Sequence, residues 1–165
     1  MILFFVFSVP SIRAQQVPLF SLYRDIPLFY NPAAAGISGA TKLFVNYRQQ
    51  WAGFNNAPEA FLMGIEGRFN EKMGAALTLH NDITDIYGQL GGYGYYSYRV
   101  KLHKEHILYL GLSAGFKQNR IYFEKIKAND PLESNILENT EAVTRFDAGA
   151  GVAYNFKKLH VYISA

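Results

Sequence analysis

Side chains able to do chemistry are few in this chain and poorly grouped. Four histidines occur, His80, His103, His106 and His160, and there is no cysteine. His103 and His106 flank Lys104-Glu105. That spacing brings two imidazoles to one metal only on a helix, and this stretch reads as the turn of a hairpin. Asn81, Asp82 and Asp85 lie close together but lack the spacing of an EF-hand loop, so they read as a polar turn. Without cysteine there is no thiolate zinc site, no cysteine nucleophile and no disulfide framework. Serines are sparse and none sits in a nucleophile elbow. Gly91-Gly92-Tyr93-Gly94 lies within a strand pattern rather than before a helix. It therefore reads as relief of curvature, or room beside an aromatic, and not as a phosphate loop. The sequence thus offers no catalytic, cofactor-binding or metal-binding residue, and the expectation is a non-enzymatic protein without a cofactor.

The remaining chemistry is ionic. Glu66 and Arg68 are two residues apart, as are Arg145 and Asp147. In a strand, residues i and i+2 share a face. Facing the lumen of a barrel, such charges pair across strands and fill the interior. In a channel the same charges would form a selectivity ring. Structural pairing is the preferred reading of these four lumen-facing residues.

The elements that must carry them are strands. From Val143 to Phe156, Thr144, Phe146, Ala148, Ala150, Val152, Tyr154 and Phe156 fall on one face. Val143, Arg145, Asp147, Gly149, Gly151, Ala153 and Asn155 fall on the other. One face is greasy and ends in aromatics; the other is charged or tiny. This is the pattern of a strand set between lipid and a polar lumen. The alternation predicts further strands at 41–49, 60–69, 73–81, 87–102, 106–119 and 158–165. The facing of 87–102 stays open, because both faces carry Tyr. Short turns fall at Glu71, His103 and Lys157, and longer or outer connections at Asn55, 82–85 and 120–141. Alternation of short and long connections suits an outer-membrane barrel. A soluble sandwich or lipocalin-like barrel also alternates, but strands running beyond ten residues exceed the usual soluble length of about five or six.

Bulk composition agrees. The chain has 165 residues, half of them hydrophobic, yet a mean hydropathy of only -0.03. The apolar residues are therefore dispersed, and no run reaches the roughly 18 to 20 residues that a spanning helix needs. Twelve Tyr and thirteen Phe against one Trp suit strands and interfacial girdles. A net charge of +3 with scattered basic residues makes a weak case for nucleic acid, and none is expected as a partner. The lipid bilayer is.

At the N-terminus, MILFFVFSV followed by Pro10, Ser11, Ile12, Arg13 and Ala14 reads as a signal peptide over 1–14, cleaved before Gln15. Residues 15–40 are interrupted at Val17-Pro18, Ile26-Pro27 and Asn31-Pro32 and read as an extended segment, with a helical turn near Ser21 to Asp25. Residues 41–165 read as an incomplete outer-membrane β-barrel. The alternation of 158–165 runs on to Ala165 without a turn or cap, so the chain reads as the N-terminal part, about seven strands, of a longer protein.

Several blocks in order carry a resemblance. They are Gln15-Gln16-Val17-Pro18-Leu19-Phe20-Ser21-Leu22-Tyr23, Asn31-Pro32-Ala33-Ala34-Ala35-Gly36, Tyr47-Arg48-Gln49-Gln50-Trp51-Ala52-Gly53-Phe54 and Ala57-Pro58. Together they resemble the PorP/SprF family of type IX secretion system outer-membrane proteins. The motif match spans about residues 15 to 80, with Val17 in place of the usual Asp and Leu22 in place of the common Gln. The later strands fit by architecture. The resemblance implies a non-enzymatic outer-membrane barrel of the Bacteroidota secretion and gliding machinery. Its implied partners are periplasmic and outer-membrane components of the type IX system and a secreted surface adhesin. It marks Asn31, Pro32, Gly36, Tyr47, Arg48, Trp51, Gly53, Phe54 and Pro58 as family-motif residues and candidates for partner contact. Physically, Asn31-Pro32 and Trp51-Gly53-Phe54 would shape the barrel mouth and a turn, and plain structural punctuation explains them equally well. The alternative function is a general porin or small-solute channel. A barrel hydrolase or acyltransferase would need a nucleophilic site that the sequence lacks.

Overall fold

The structure is a computed structural model that describes residues 26–54, 57–122, 141–157 and 159–165. The expected signal peptide, the turn near Ser21 to Asp25 and most of the 120–141 connection lie outside these residues. Seven strands are present among them: β1 (Lys42–Gln49), β2 (Glu59–Arg68), β3 (Met73–Thr84), β4 (Tyr87–Lys101), β5 (His106–Ile121), β6 (Glu141–Phe156) and β7 (Leu159–Ser164). They form one antiparallel sheet in sequence order, curled into a half-barrel. Each strand pairs with the next in chain order, as expected where tight turns join neighbours. No helix of the described residues is long and apolar enough to cross a membrane, which says nothing about crossing by strands.

The alternation read from the sequence fixes which side chain meets which surface. On β2, Ala60, Leu62 and Gly64 are buried while Phe61, Met63 and Ile65 are exposed. On β3, Gly74, Ala76, Thr78 and His80 are buried and Leu77 and Leu79 exposed. The register carries this across the sheet: Thr78 opposes Tyr93, Tyr93 opposes Gly115 and Gly115 opposes Asp147. The inner face is the one on which the segment before β1 packs. The outer face is a broad apolar surface, with Leu43, Val45, Leu77, Leu112, Phe146 and Ile163 all largely exposed. In water so large a patch would invite association; against lipid it is solvated.

Lengths support the same reading. On β5 the outward side chains Leu108, Leu110, Leu112, Ala114 and Phe116 make a continuous apolar run. They span about 26 Å along the strand and about 20 Å along the membrane normal at a tilt near 40°, close to the apolar band of an outer-membrane barrel. Beyond that run the outer face turns polar. Gln118 donates to the Thr144 hydroxyl at 3.1 Å, and Arg120 donates to the Gln118 side-chain oxygen at 2.8 Å. At the other end Lys157 pairs with Glu105 at 3.4 Å, beside the short turns.

Two local readings change. Residues 82–85, read as a connection, are mostly strand: β3 runs to Thr84, and Asp85, with φ 53°, begins a tight turn into Tyr87. Polar Asn81, Asp82 and Thr84 mimic a loop because they lie past the apolar run. The open facing of β4 resolves through register, since Tyr93, Tyr95 and Ser97 share the rungs of buried Thr78, Ala76 and Gly74. They point inward, and Tyr96 and Tyr98 point outward. Tyr serves either face because its ring is apolar and its hydroxyl polar.

If the outer face meets lipid, Leu112→Arg places a charge near the middle of the apolar run and should cost about 2–4 kcal/mol of folding free energy in lipid or detergent. Gln118→Arg, beyond that run, should cost less than about 1 kcal/mol. Denaturant titration of the folded full chain checks this; equal effects at the two positions would contradict the assignment.

Candidate functional site

The most elaborated constellation among the described residues is the seat of the segment before β1. Pro27–Phe29 and Pro32–Ala34 are single 3-10 turns, each with proline in its first turn. The described part of 15–40 is therefore turned upon itself rather than uniformly extended. Proline supplies the reason: it presets φ near the helical value and has no N–H to leave unpaired at a helix start.

These turns sit on the inner face of the sheet. Leu28 and Ala35 pack into a buried cluster with Ala76 of β3, flanked by Phe44 and Tyr95. Ile26 and Phe29 cover Ala60 and Leu62 of β2. Ala33 packs with Tyr109 of β5 and Ala153 of β6. The close approach demands glycine below. A Cβ on Gly111 would strike the backbone of Pro32 and Ala33, and one on Gly151 would strike the Asn31 side-chain oxygen. Gly36 leaves the segment with φ 67°, and its own Cβ would lie 2.6 Å from the Gly67 carbonyl oxygen. Two constraints, handedness and space, thus meet at one residue.

Burying a turn of backbone requires partners for its polar groups. The sheet supplies them from side chains. Ser97 Oγ donates to the Ala35 carbonyl at 2.5 Å. Arg68 donates through Nε to the Gly36 carbonyl at 3.3 Å and through Nη2 to the Ile37 carbonyl at 2.8 Å. Ser164 Oγ donates to the Tyr30 carbonyl at 2.6 Å. Asn31, only 1% exposed, works in both directions. Its side-chain oxygen accepts from the Ala33 N–H at 2.8 Å and caps the second 3-10 turn. Its Nδ2 donates to the Val152 carbonyl at 3.0 Å and the Ile163 carbonyl at 2.9 Å. Those carbonyls belong to paired residues on β6 and β7, so one amide ties both strands to the segment. At roughly 0.5–1.5 kcal/mol net per bond, side-chain bonds of this number contribute several kcal/mol to the seating.

A second inner-face group lies toward the end of the sheet bearing the longer connections. Tyr93 donates its hydroxyl to Asp147 at 2.9 Å, and Lys117 pairs with Asp147 at 3.6 Å. Lys117 also lies over the Tyr93 ring, 5.9 Å from its centroid, and the ring of buried His80 stacks on Tyr93 at 6.1 Å. Lys117 and Arg145 are direct cross-strand neighbours. Like charges so placed repel, and Asp147 beside them offsets the repulsion.

The residues singled out from sequence divide into these groups and others. Glu66 pairs with Lys42 at 3.7 Å, directly across from it on β1. Arg68 pairs with no carboxylate among the described residues; it holds the carbonyls of Gly36 and Ile37. Asp147 pairs with Lys117 instead of Arg145. Asn31, Pro32 and Gly36 lie together on the inner face. Tyr47 is exposed on the outer face, while Arg48 sits at the following position of β1, facing inward. Trp51, Gly53 and Phe54 lie in the exposed β1–β2 connection, with φ 53° at Trp51 and 104° at Gly53. The Pro58 carbonyl accepts from the Gln50 N–H at 2.9 Å, closing the base of that connection. The two motif blocks therefore end up at opposite ends of β1 and do not form one site. Of the histidine pair, His106 bonds through Nδ1 with the Tyr154 hydroxyl at 2.5 Å and stacks on Phe156. Ser97, Gly111, Gly151 and Ser164 escaped notice in the sequence. The run of tiny inward residues on β5 and β6 is a signal for Gly111 and Gly151, and none marks Ser97 on β4 or Ser164 on β7.

Asn31→Asp removes both donated bonds and sets a carboxylate against two carbonyl oxygens. It should destabilise the folded chain by about 3 kcal/mol or more, against about 1–3 kcal/mol for Asn31→Ala. Urea titration of both variants checks the order; an Asp variant as stable as wild type would contradict the bonding.

Comparison with known proteins finds one family, described as type IX secretion system membrane protein PorP/SprF, which matches residues 12–165. No curated protein and no solved structure matches the chain.

Proposed function

The chain belongs to the PorP/SprF family of type IX secretion system membrane proteins, and from that premise we propose that it is a non-enzymatic barrel component of this machinery in the outer membrane. It is exported through a cleaved signal peptide. It acts by protein–protein contact with periplasmic and outer-membrane components of the system, and supports export or surface anchoring of an adhesin. The observation that carries the reading is the family match across nearly the whole chain, including the strands beyond the motif blocks. The two-faced sheet supports it, with apolar side chains outward and paired charges inward. In this reading Glu66, Arg68, Arg145 and Asp147 face the barrel lumen and serve its structure. Asn31, Pro32 and Gly36 serve the fold, while exposed Trp51 and Phe54 are the motif residues best placed to touch a partner.

The test is recovery of the tagged full-length protein from its own outer membrane, with the co-purifying proteins identified by mass spectrometry. Type IX secretion components or a surface adhesin should be recovered. The barrel alone, together with solute-dependent conductance in planar bilayers, would contradict the proposal and favour a porin. Trp51→Ala with Phe54→Ala should lower recovery of a partner by about tenfold or more if these aromatics anchor it, without changing the amount of barrel in the membrane.

A further inference from the structure

Residues 26–40 are seated against the inner face across the width of the sheet. The segment reaches every strand of the sheet. Ile26 and Phe29 pack on Ala60 and Leu62 of β2, Phe44 of β1 packs against the cluster that joins Leu28 and Ala35 to Ala76 of β3, and Ser97 of β4 holds Ala35. Ala33 meets Tyr109 of β5, Asn31 bonds to β6 and β7, and Ser164 of β7 holds Tyr30. A stretch this short spans seven strands only because the sheet curls around it. It fills the concave side near the end that carries the short turns, beside Gly74, Gly111 and Gly151. Nothing about the seat is generic. The glycines remove the volume that the segment occupies, and the carbonyls of Tyr30 and Ala35 are met by the hydroxyls of Ser164 and Ser97, those of Gly36 and Ile37 by the one guanidinium of Arg68. A segment merely passing through a water-filled channel would leave those carbonyls to water.

We infer that residues 26–40 are a resident plug that closes the lumen of the barrel at its short-turn mouth and keeps the protein non-conducting. The inference rests on the barrel reading above. Short turns face the periplasm in outer-membrane barrels, so the closed mouth is the periplasmic one. The inner-face group around Tyr93, Lys117 and Asp147 then lies on the open side of the plug. The device needs no ligand to hold it shut, because its latch is made of Asn31, Arg68, Ser97 and Ser164. Of these, Arg68, Ser97 and Ser164 are bonded to the segment through side chains alone, so they can be altered without touching the strand ladder.

The experiment reconstitutes the full-length protein into phosphatidylcholine liposomes, scores insertion by flotation, and measures conductance in planar bilayers of the same lipid. Wild type is compared with the triple variant Arg68→Met, Ser97→Ala, Ser164→Ala and, separately, with Asn31→Ala. The expected result is that all float, wild type passes no steady current, and loosening the latch raises the time spent open by about tenfold or more, the factor for roughly 1.4 kcal/mol of lost bonding. Steady wild-type current with normal flotation would overturn the plug and leave the barrel standing. Silence from wild type and from both floating variants would show that these residues are not what closes the lumen, and would also overturn it. Wild type that fails to float would overturn the barrel reading itself.

Discussion

Backbone polar groups have no water to turn to inside a bilayer, so each must find a partner within the protein. The rest of this structure follows from that constraint. It explains why most of the described residues are paired strand, with each strand hydrogen-bonded to its neighbours in sequence order. It explains why side chains divide so sharply by face, since a paired ladder leaves only the side chains to meet lipid on one side and the interior on the other. It also explains the segment before β1. Proline turns brought against the inner face carry carbonyls that cannot join a ladder, and serine, arginine and asparagine side chains take the place of a neighbouring strand.

The charges follow the same economy of pairing. Glu66 opposite Lys42 and Asp147 beside Lys117 are inner-face pairs between adjacent strands. Arg68 uses its planar fork on two successive carbonyls, a task its geometry suits and a lysine could not perform as well. Arg145 and Lys117 stand side by side, and the nearby carboxylate of Asp147 makes that arrangement tolerable. Charge pairs and side-chain bonds to carbonyls thus make up the described inner face. It resembles the interior of a sheet whose polar groups hold one another and the segment that lies over them.

Much of the fold was legible because period-two alternation is a direct imprint of the two-sided environment. On β6, Phe146 and Val152 against Asp147 and Gly151 leave little choice of facing, and register then propagates from strand to strand. Legibility failed where that imprint fades. Asp82 to Thr84 continues β3 past the apolar run, where polar Asp82 and Thr84 flank a lone Ile83, and so it reads as a loop. Tyr93 to Tyr98 defeats the pattern because tyrosine is at home on either face. The seat of Asn31 was illegible for a different reason. Its partners Val152 and Ile163 lie more than a hundred positions away, and both use backbone carbonyls, which no residue type announces. The motif block around Asn31 drew attention to the right residues, yet only the fold shows that they face the sheet rather than the barrel's surroundings.

The central claim is that residues 26–40 are seated inside the curl of the sheet in the membrane-embedded protein. Ala35 and Ala76 belong to one buried cluster at that seat, and the chain has no native cysteine to confuse a thiol measurement. The most direct test is therefore Ala35→Cys combined with Ala76→Cys in the full-length protein, treated in intact native membranes with a short thiol-to-thiol linker. Near-complete intramolecular linkage, with little from a control pairing Ala35→Cys with outward Leu77→Cys, is the predicted result. Equal linkage in the two pairs, or none in either, would place the segment outside the sheet and contradict the account.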